Sequence, residues 1–414
     1  MDTRAQSFLT SLFNAAIAAA DPLKALAAAL PAPPKGRTVV IGAGKGAAQM
    51  AQALEQLWPT PLTGTVVTRY GFAAPTDHIR VLEAAHPVPD AAGLAATDAL
   101  FAEITDLTED DLVIALICGG GSSLLAAPAK GLTLEDEQAL NEALLASGAP
   151  IGAMNAIRKM TSRAKGGRLA AATRARVVSL VVSDVPGDDP AQVASGPTVP
   201  CRSSRAEALA AVATYKIALP ARIASFLATA PAPPAPADPA FAGNDVRVVA
   251  SAARSLTAAA DLAKAQGWPV QILGDDLEGE ARELGAAHAA RALASTAPRL
   301  ILSGGETTVT LKSKGRGGRN SEYLLSFALG IEGAANINAL AADTDGIDGS
   351  EDNAGAFATG QTAAAMRAAG ADPAHHLAAN DAYTAFAKAG ALFETGPTGT
   401  NVNDFRAILI GWPT

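Results

Sequence analysis

Aromatic side chains make up only 4% of the 414 residues, so no pair of rings stands out that would sandwich a flat heterocycle. Cysteine is rarer still, with Cys118 and Cys201 alone. They lack metal-ligand spacing and imply no disulfide framework, and Cys118 ends an apolar run, where a small buried thiol is the default. Positive charge is not in excess. Lys and Arg number 32 against 40 Asp and Glu, a net charge of −8, and no basic cluster stands beside interleaved aromatics. Nucleic acid is therefore not an expected partner. No window holds the roughly 20 apolar residues that span a bilayer. The pattern GxxxxGK[ST] is missing, and no nucleophile has an evident base partner, so P-loop chemistry is not indicated.

The N-terminal stretch has an apolar middle, but Asp2, Gln6, Ser7 and Asn14 interrupt it. Phe8, Leu12, Phe13 and Ile17 recur at helical spacing, which predicts an amphipathic first helix rather than a signal peptide. A soluble, cytoplasmic protein is expected. At roughly 150 residues per domain the length suggests two or three domains. The clearest boundary is Thr229 to Ala240, T-A-P-A-P-P-A-P-A-D-P-A, whose proline and alanine suit an extended spacer. It divides the chain into residues 1–235 and 236–414.

The stretch that organises the first half is Leu116 to Leu125, L-I-C-G-G-G-S-S-L-L. An apolar strand from Leu112 breaks into Gly119, Gly120 and Gly121, which let the backbone turn tightly with its N–H groups facing one point. Ser122 and Ser123 are expected to add donors as a helix begins. A phosphate or carboxylate is the natural guest. Leu300 to Val309 repeats the design with Gly304, Gly305 and Glu306.

Upstream, Arg37 to Ile41 runs into Gly42, Ala43, Gly44, Lys45, Gly46 and Ala47, a GxGxxA between strand and helix. A dinucleotide site would also want an acid at the end of the next strand to hold the ribose hydroxyls. That strand instead ends in Arg69, Tyr70 and Gly71, which disfavours NAD, although Arg69 could accept the 2′-phosphate of NADP. Lys45, an ammonium at a helix start, is well placed for phosphate oxygens. His86, before a proline, is given no role.

Downstream, residues 133–147 predict a helix opening at Thr133 with acids in its first turn. On the next helix Arg158, Ser162 and Lys165 share a face. A strand over Val177 to Val182 delivers Asp184 and Asp189 where open α/β sheets bind ligands, and Ala194 to Pro200 is a rigid turn. Beyond the spacer, strands and helices alternate again, predicting a second parallel α/β domain. The expected fold class is α/β: two Rossmann-like domains with mostly parallel sheets and an interdomain cleft.

The second half holds the denser chemistry. Arg319 and Asn320 open a helix after a basic glycine loop, and the arginine is expected to face bound phosphate. A strand ending at Ala342 delivers Asp343, Asp345 and Asp348. The bidentate glutamate of a calcium loop is absent, since Ala354 stands at its place, so magnesium held with phosphate is the better expectation. Phosphoryl transfer by positioning and charge neutralisation needs only such groups.

Ten segments together carry a family resemblance. They are V-I-G-A-G-K-G-A-A at 40–48, H-P-V-P-D at 86–90, C-G-G-G-S-S at 118–123, R-K-M-T-S-R-A-K-G-G-R-L at 158–169 and S-D-V-P-G-D-D at 183–189. The others are A-S-G-P-T at 194–198, S-G-G-E-T-T-V at 303–309, G-R-G-G-R-N at 315–320, D-T-D-G-I-D-G at 343–349 and G-T-N-V-N-D at 399–404. In order and over nearly the whole chain, they resemble the class II glycerate 2-kinase family, the last four its C-terminal MOFRL domain. Met160 and Thr161 depart from that family's histidine and leucine.

The resemblance implies ATP- and magnesium-dependent phosphorylation of the 2-hydroxyl of D-glycerate by a monomer or homodimer. Lys45 and Arg319 would neutralise the transferring phosphate, with Asp345 as a further catalytic group. Asp343, Asp345 and Asp348 would hold magnesium or accept the hydroxyl proton. Gly44, Gly119, Gly120, Gly121, Ser122, Ser123, Arg158, Asp184, Asp189, Gly304, Gly305, Glu306, Asn320 and Asn403 would bind substrate or nucleotide. Two rivals stand beside it: an NADPH-dependent hydroxypyruvate reductase, which needs a proton donor such as His86, and a non-catalytic two-lobed binder of small anions.

Overall fold

The computed structural model describes residues 1–412. Packing divides them into two units, Pro22–Val249 and, together, Met1–Asp21 with the chain from Ala250 onward. The second sequence half therefore recruits the first helix. That helix, Thr3–Ala19, buries Phe8, Leu9, Leu12 and Phe13 on one face, the spacing read in the sequence. These side chains pack on Leu300, Leu302, Leu340, Phe405 and Leu409 of the unit that begins at Ala250.

In the Pro22–Val249 unit the strands are β1 (Thr38–Ala43), β2 (Leu62–Arg69), β3 (Ile79–Ala84), β4 (Leu112–Cys118), β5 (Arg176–Ser183) and β6 (Asp245–Ser251). They form one sheet in the order β3-β2-β1-β4-β5-β6, and each pairing from β3 to β5 is parallel. β1 and β4 are buried along their whole length, as strands covered on both faces must be. Val39, Ile41, Val113 and Ile117 meet the helix Ala91–Ile104 on one face. Val40, Ile114 and Leu116 meet Met50 and Leu54 of the helix Ala47–Leu57 on the other. The order reverses between β1 and β4, and ligands of such sheets lie outside the carboxyl ends at that reversal.

The other unit adds β7 (Val270–Ile272), β8 (Arg299–Ser303), β9 (Ile337–Asp343), β10 (Gly355–Thr359), β11 (Leu392–Phe393) and β12 (Asp404–Ile410), in the order β11-β10-β9-β12-β8-β7. The two-domain α/β architecture holds, but here the expected parallel sheet is mixed. Only β7 and β8 pair in parallel, while β12 runs antiparallel between β8 and β9, and β10 antiparallel to β9 and β11. The final strand returns down the middle of the sheet. Its first residue, Asp404, thereby lies opposite Asp343, the last of β9.

The proline and alanine stretch is not a free spacer. Arg168 Nη2 donates to Pro231 O at 3.0 Å and the Cys201 N–H to Pro234 O at 3.0 Å, while Pro233 lies against Gly166. Prolines lack an N–H but keep a carbonyl, so the segment packs as a strap of acceptors on the first unit.

Candidate functional site

At the reversal of the first sheet, the two glycine loops are fastened together. Lys45 N–H donates to Gly119 O at 2.8 Å, and Gly46 N–H to Cys118 Sγ at 3.2 Å. The glycines permit this approach. An added Cβ at Gly42 would stand 2.7 Å from Leu116 O, and one at Gly44, whose φ is +140°, would strike Cys118. The GxGxxA spacing thus serves the close packing of β1 on the end of β4. Burial pushes the Cys118 thiol up to about 12, so it stays protonated and unreactive.

The triple glycine brings side chains in as well. Gly120, at φ +78°, faces Lys45 Cγ and His86 Nε2, with 2.9 and 3.2 Å separating them from the site of a Cβ; at Gly119 that site is taken by the Asp184 carboxylate. Among the described residues, the hydrogen bonds of Lys45 are made by its backbone, the second being accepted from Thr68 Oγ1 at 3.0 Å. His86 is pulled down to about 4 by burial, then by the charges of Lys45 and Arg69, so it is neutral at pH 7. Ser123 departs from expectation, because its hydroxyl donates to Gly120 O at 3.2 Å and adds no donor to the loop.

Arg158 does not reach the glycine loop itself. Its Nε donates to Asn141 Oδ1 at 3.1 Å and its Nη1 to Asn155 Oδ1 at 3.2 Å. Asn155 Oδ1 also accepts from Ser195 Oγ at 3.0 Å, and Ser195 Oγ lies 2.8 Å from Ser122 Oγ. Lys165, on the same expected face, is buried and paired with Glu137 at 3.0 Å. Asp189 is exposed and accepts from Ala191 N at 3.0 Å, closing the turn toward Ser195. Met160 and Thr161, where the family pattern differs, are both buried.

In the other unit, the antiparallel return of β12 gathers Gly304 to Glu306, Asp343 and Asp404 at one end of the central strands β8, β12 and β9. Arg319, the first residue of the helix Arg319–Gly330, donates to Glu306, Asp343 and Asp404, each at 2.7 Å. Burial opposes its charge, but Asp404, Asp343 and Glu306 outweigh that and raise its pKa. Its fork is engaged by carboxylates rather than pointed at an open anion site. Asn320 Nδ2 donates to the same Asp404 oxygen at 2.7 Å. Arg406, fully buried, donates to Asp404 Oδ2 at 2.5 Å, to Gly304 O at 3.0 Å and to Thr307 Oγ1 at 3.2 Å. Asp404 N–H donates to Gly305 O at 3.1 Å, and the +111° φ of Gly305 seats it against Leu277 backbone.

The three aspartates of the D-T-D-G-I-D segment do not converge. Asp343 Oδ1 accepts from Asp345 N at 3.1 Å; burial, then the charge of Asp404, raises its pKa against the pull of Arg319. Asp345 is half-buried and accepts from Ile347 N at 2.9 Å and, at 3.4 Å, from Asn401 Nδ2. Asp348 turns away: its two oxygens accept from Asn320 N and Ser321 N at 2.9 and 2.8 Å, capping the helix start. Among the described residues, no three His, Cys, Asp or Glu side chains group to hold a metal ion. Asn403, with φ +67°, passes its carbonyl to Thr344.

The sequence reading assigned no individual role to Asp404, Arg406, Asn155 or Ser195. A signal existed for Arg406, since one charge inside the apolar strand D-F-R-A-I-L-I has to be paired. Ser195 lies in the A-S-G-P-T segment, but its partners Ser122 and Asn155 are far off in sequence, so its bonds were not legible there.

Residues 8–228 match a family described as a domain of unknown function (DUF4147), and residues 299–404 match the MOFRL family. An Agrobacterium vitis protein provisionally named hydroxypyruvate reductase is 50% identical, over 99% of this chain and 95% of its own. The D-glycerate 2-kinase of Thermotoga maritima is 39% identical over 95% of each chain. A crystal structure of glycerate kinase from Thermotoga maritima superimposes with a TM-score of 0.88 at 36% identity, covering 98% of this chain and 99% of that one. No helix among the described residues is long and apolar enough to cross a membrane. On these matches the chain belongs to the glycerate kinase family with a C-terminal MOFRL domain.

Proposed function

We propose that this protein transfers the γ-phosphoryl group of ATP to the 2-hydroxyl of D-glycerate, giving 2-phosphoglycerate and ADP. The observation that carries this reading is Lys45. Its ammonium stands at the carboxyl end of β1, fastened to the triple-glycine loop and without a carboxylate partner among the described residues. Phosphoryl transfer asks for positioned charge of this kind rather than for a nucleophile.

Lys45 neutralises phosphate oxygens, and the backbone N–H groups of Gly120 to Ser123 hold an anionic group of substrate or nucleotide. In the other unit Arg319 fixes the carboxylates of Asp343, Asp404 and Glu306. Magnesium suits the donors present. It takes hard oxygens and needs only one or two carboxylates beside phosphate and water, and Asp343 and Asp345 supply two, each with lone pairs beyond its present bonds. When bound, the ion would neutralise phosphate charge. Asp345, the less engaged of the two, takes the proton of the 2-hydroxyl.

The names of relatives at 50 and 52% identity favour a second reading, NADPH-dependent reduction of hydroxypyruvate. Two features speak against it. β2 ends at Arg69, whose guanidinium is held 4.0 Å over the Phe72 ring rather than standing free for a 2′-phosphate. His86, the proton donor this reaction would need, is neutral with a pKa of about 4. Supplying purified protein with D-glycerate, ATP and magnesium tests the kinase reading, and absence of 2-phosphoglycerate would overturn it.

A further inference from the structure

The hydrogen-bond chain behind the triple-glycine loop has one possible direction of protons. Arg158 has donors only, so the Asn155 atom that meets its Nη1 at 3.2 Å is the oxygen. The other end agrees, because Asn155 Nδ2 faces the Gln192 carbonyl at 3.3 Å and Oε1 at 3.1 Å. Asn155 Oδ1 can therefore only accept, and the single proton of Ser195 goes to it, at 3.0 Å. Ser195 then has only lone pairs left for Ser122, 2.8 Å away. Ser122 must be the donor of that pair, and its own proton is committed inward.

The chain is built rather than incidental. Ser195 is fully buried. Ala194, Ser195 and Gly196 follow one another at positive φ of 51, 59 and 60°, a conformation that costs energy for the two non-glycine residues and persists only where surroundings impose it. Ala194 Cβ also comes within 2.7 Å of where Gly121 would carry a side chain, which seats the strained turn on the loop.

From this we infer that half-buried Ser122 offers its ligand lone pairs, not a proton, and so selects a substrate that donates a hydroxyl to it. An anion would meet two lone pairs at that oxygen. The partner is a hydroxyl other than the one that takes the phosphoryl group, because that one must lose its proton and a neutral serine is not a base. Resting on the kinase reading, this makes Ser122 the residue that recognises the 3-hydroxyl of glycerate, with Ser195, Asn155 and Arg158 as positioning residues. The substrate class is a small 2-hydroxy acid with a second hydroxyl.

D-lactate, which is D-glycerate without that hydroxyl, supplies the test. The ratio of kcat/KM for D-glycerate over D-lactate is expected to fall about 10-fold in Ser122→Ala, the size of one lost hydrogen bond. Ser195→Ala should lower the same ratio, since Ser122 is then free to turn its proton outward, and the double variant should lower it no further than Ser122→Ala alone. An unchanged ratio in Ser122→Ala, or fully additive single effects, overturns the inference. Calorimetric binding of both acids to the same proteins reads the preference without turnover. A wild type that binds D-glycerate but does not phosphorylate it defeats the kinase reading, while the binding ratio still decides the role of Ser122.

Discussion

Asp404 is the residue whose removal should be felt most widely. Its side chain and that of Arg406 are both fully buried, 2.5 Å apart, and its other oxygen accepts from Arg319 and Asn320, each at 2.7 Å. Asp404→Ala leaves the Arg406 guanidinium buried with Gly304 O and Thr307 Oγ1 as its remaining hydrogen-bond acceptors among the described residues, beside the Tyr323 ring at 5.1 Å, and strips one of three carboxylates from Arg319. Stranding one member of a buried ion pair costs about 3–5 kcal/mol. At roughly 2–4 °C per kcal/mol for a unit of this size, the unit holding Arg406 should melt about 6–20 °C lower. Removing both charges strands neither, so Asp404→Asn with Arg406→Gln should cost less than the two single changes summed, by about 2 kcal/mol. Calorimetry resolves the transition of that unit. An Asp404→Ala protein within about 1 kcal/mol of wild type would refute the reasoning, because it would mean that water or a neighbour already satisfies Arg406.

Lys45→Ala should lower kcat for glycerate phosphorylation by about 10²–10³-fold, the usual cost of losing one preorganised charge-stabilising group, while circular dichroism shows an unchanged melt; near-normal turnover would remove Lys45 from the mechanism. His288 is held at about 4 by burial, then by Arg406 and Arg291, and lies 2.8 Å from Tyr323 Oη. A depressed histidine contributes stability above its unfolded pKa of about 6.5 that is lost as pH falls toward the folded value. Melting temperature should therefore drop between pH 6.5 and 4, less steeply in His288→Leu, and parallel curves for the two proteins would count against it. Cys118, with its thiol near 12, should escape iodoacetamide in the native protein at pH 8 as read by mass spectrometry, and rapid labelling would show that the β4 end opens.

Elements with a local signature were legible in the sequence. The helix Leu134–Ala146 opens at Thr133 with a full capping box to Asp136, and β1, β4 and β5 announced themselves as apolar runs before a glycine or polar turn. The direction of β12 did not. A strand-helix alternation looks the same whether the last strand joins in parallel or returns antiparallel, and that choice places Asp404 opposite Asp343. The same limit hid the fate of Arg319. Its position at a helix start was read correctly, but its three carboxylates come from Glu306, Asp343 and Asp404, separated in sequence and joined by the pairing of β8, β12 and β9. Asp348 looked like a third metal ligand because of its spacing, yet the backbone N–H groups of Asn320 and Ser321 claim it. The proton direction at Ser122 depends on Ser195 and Asn155, residues that a linear reading has no reason to connect.

Incubation of the purified protein with D-glycerate, ATP and magnesium, with products identified by ³¹P and ¹H NMR beside a parallel hydroxypyruvate and NADPH reaction, tests the proposed activity most directly. Appearance of 2-phosphoglycerate and ADP with no loss of NADPH is the predicted result. Oxidation of NADPH without phosphorylation of glycerate would contradict it, and would make the loop of Gly44 and Lys45 a dinucleotide site.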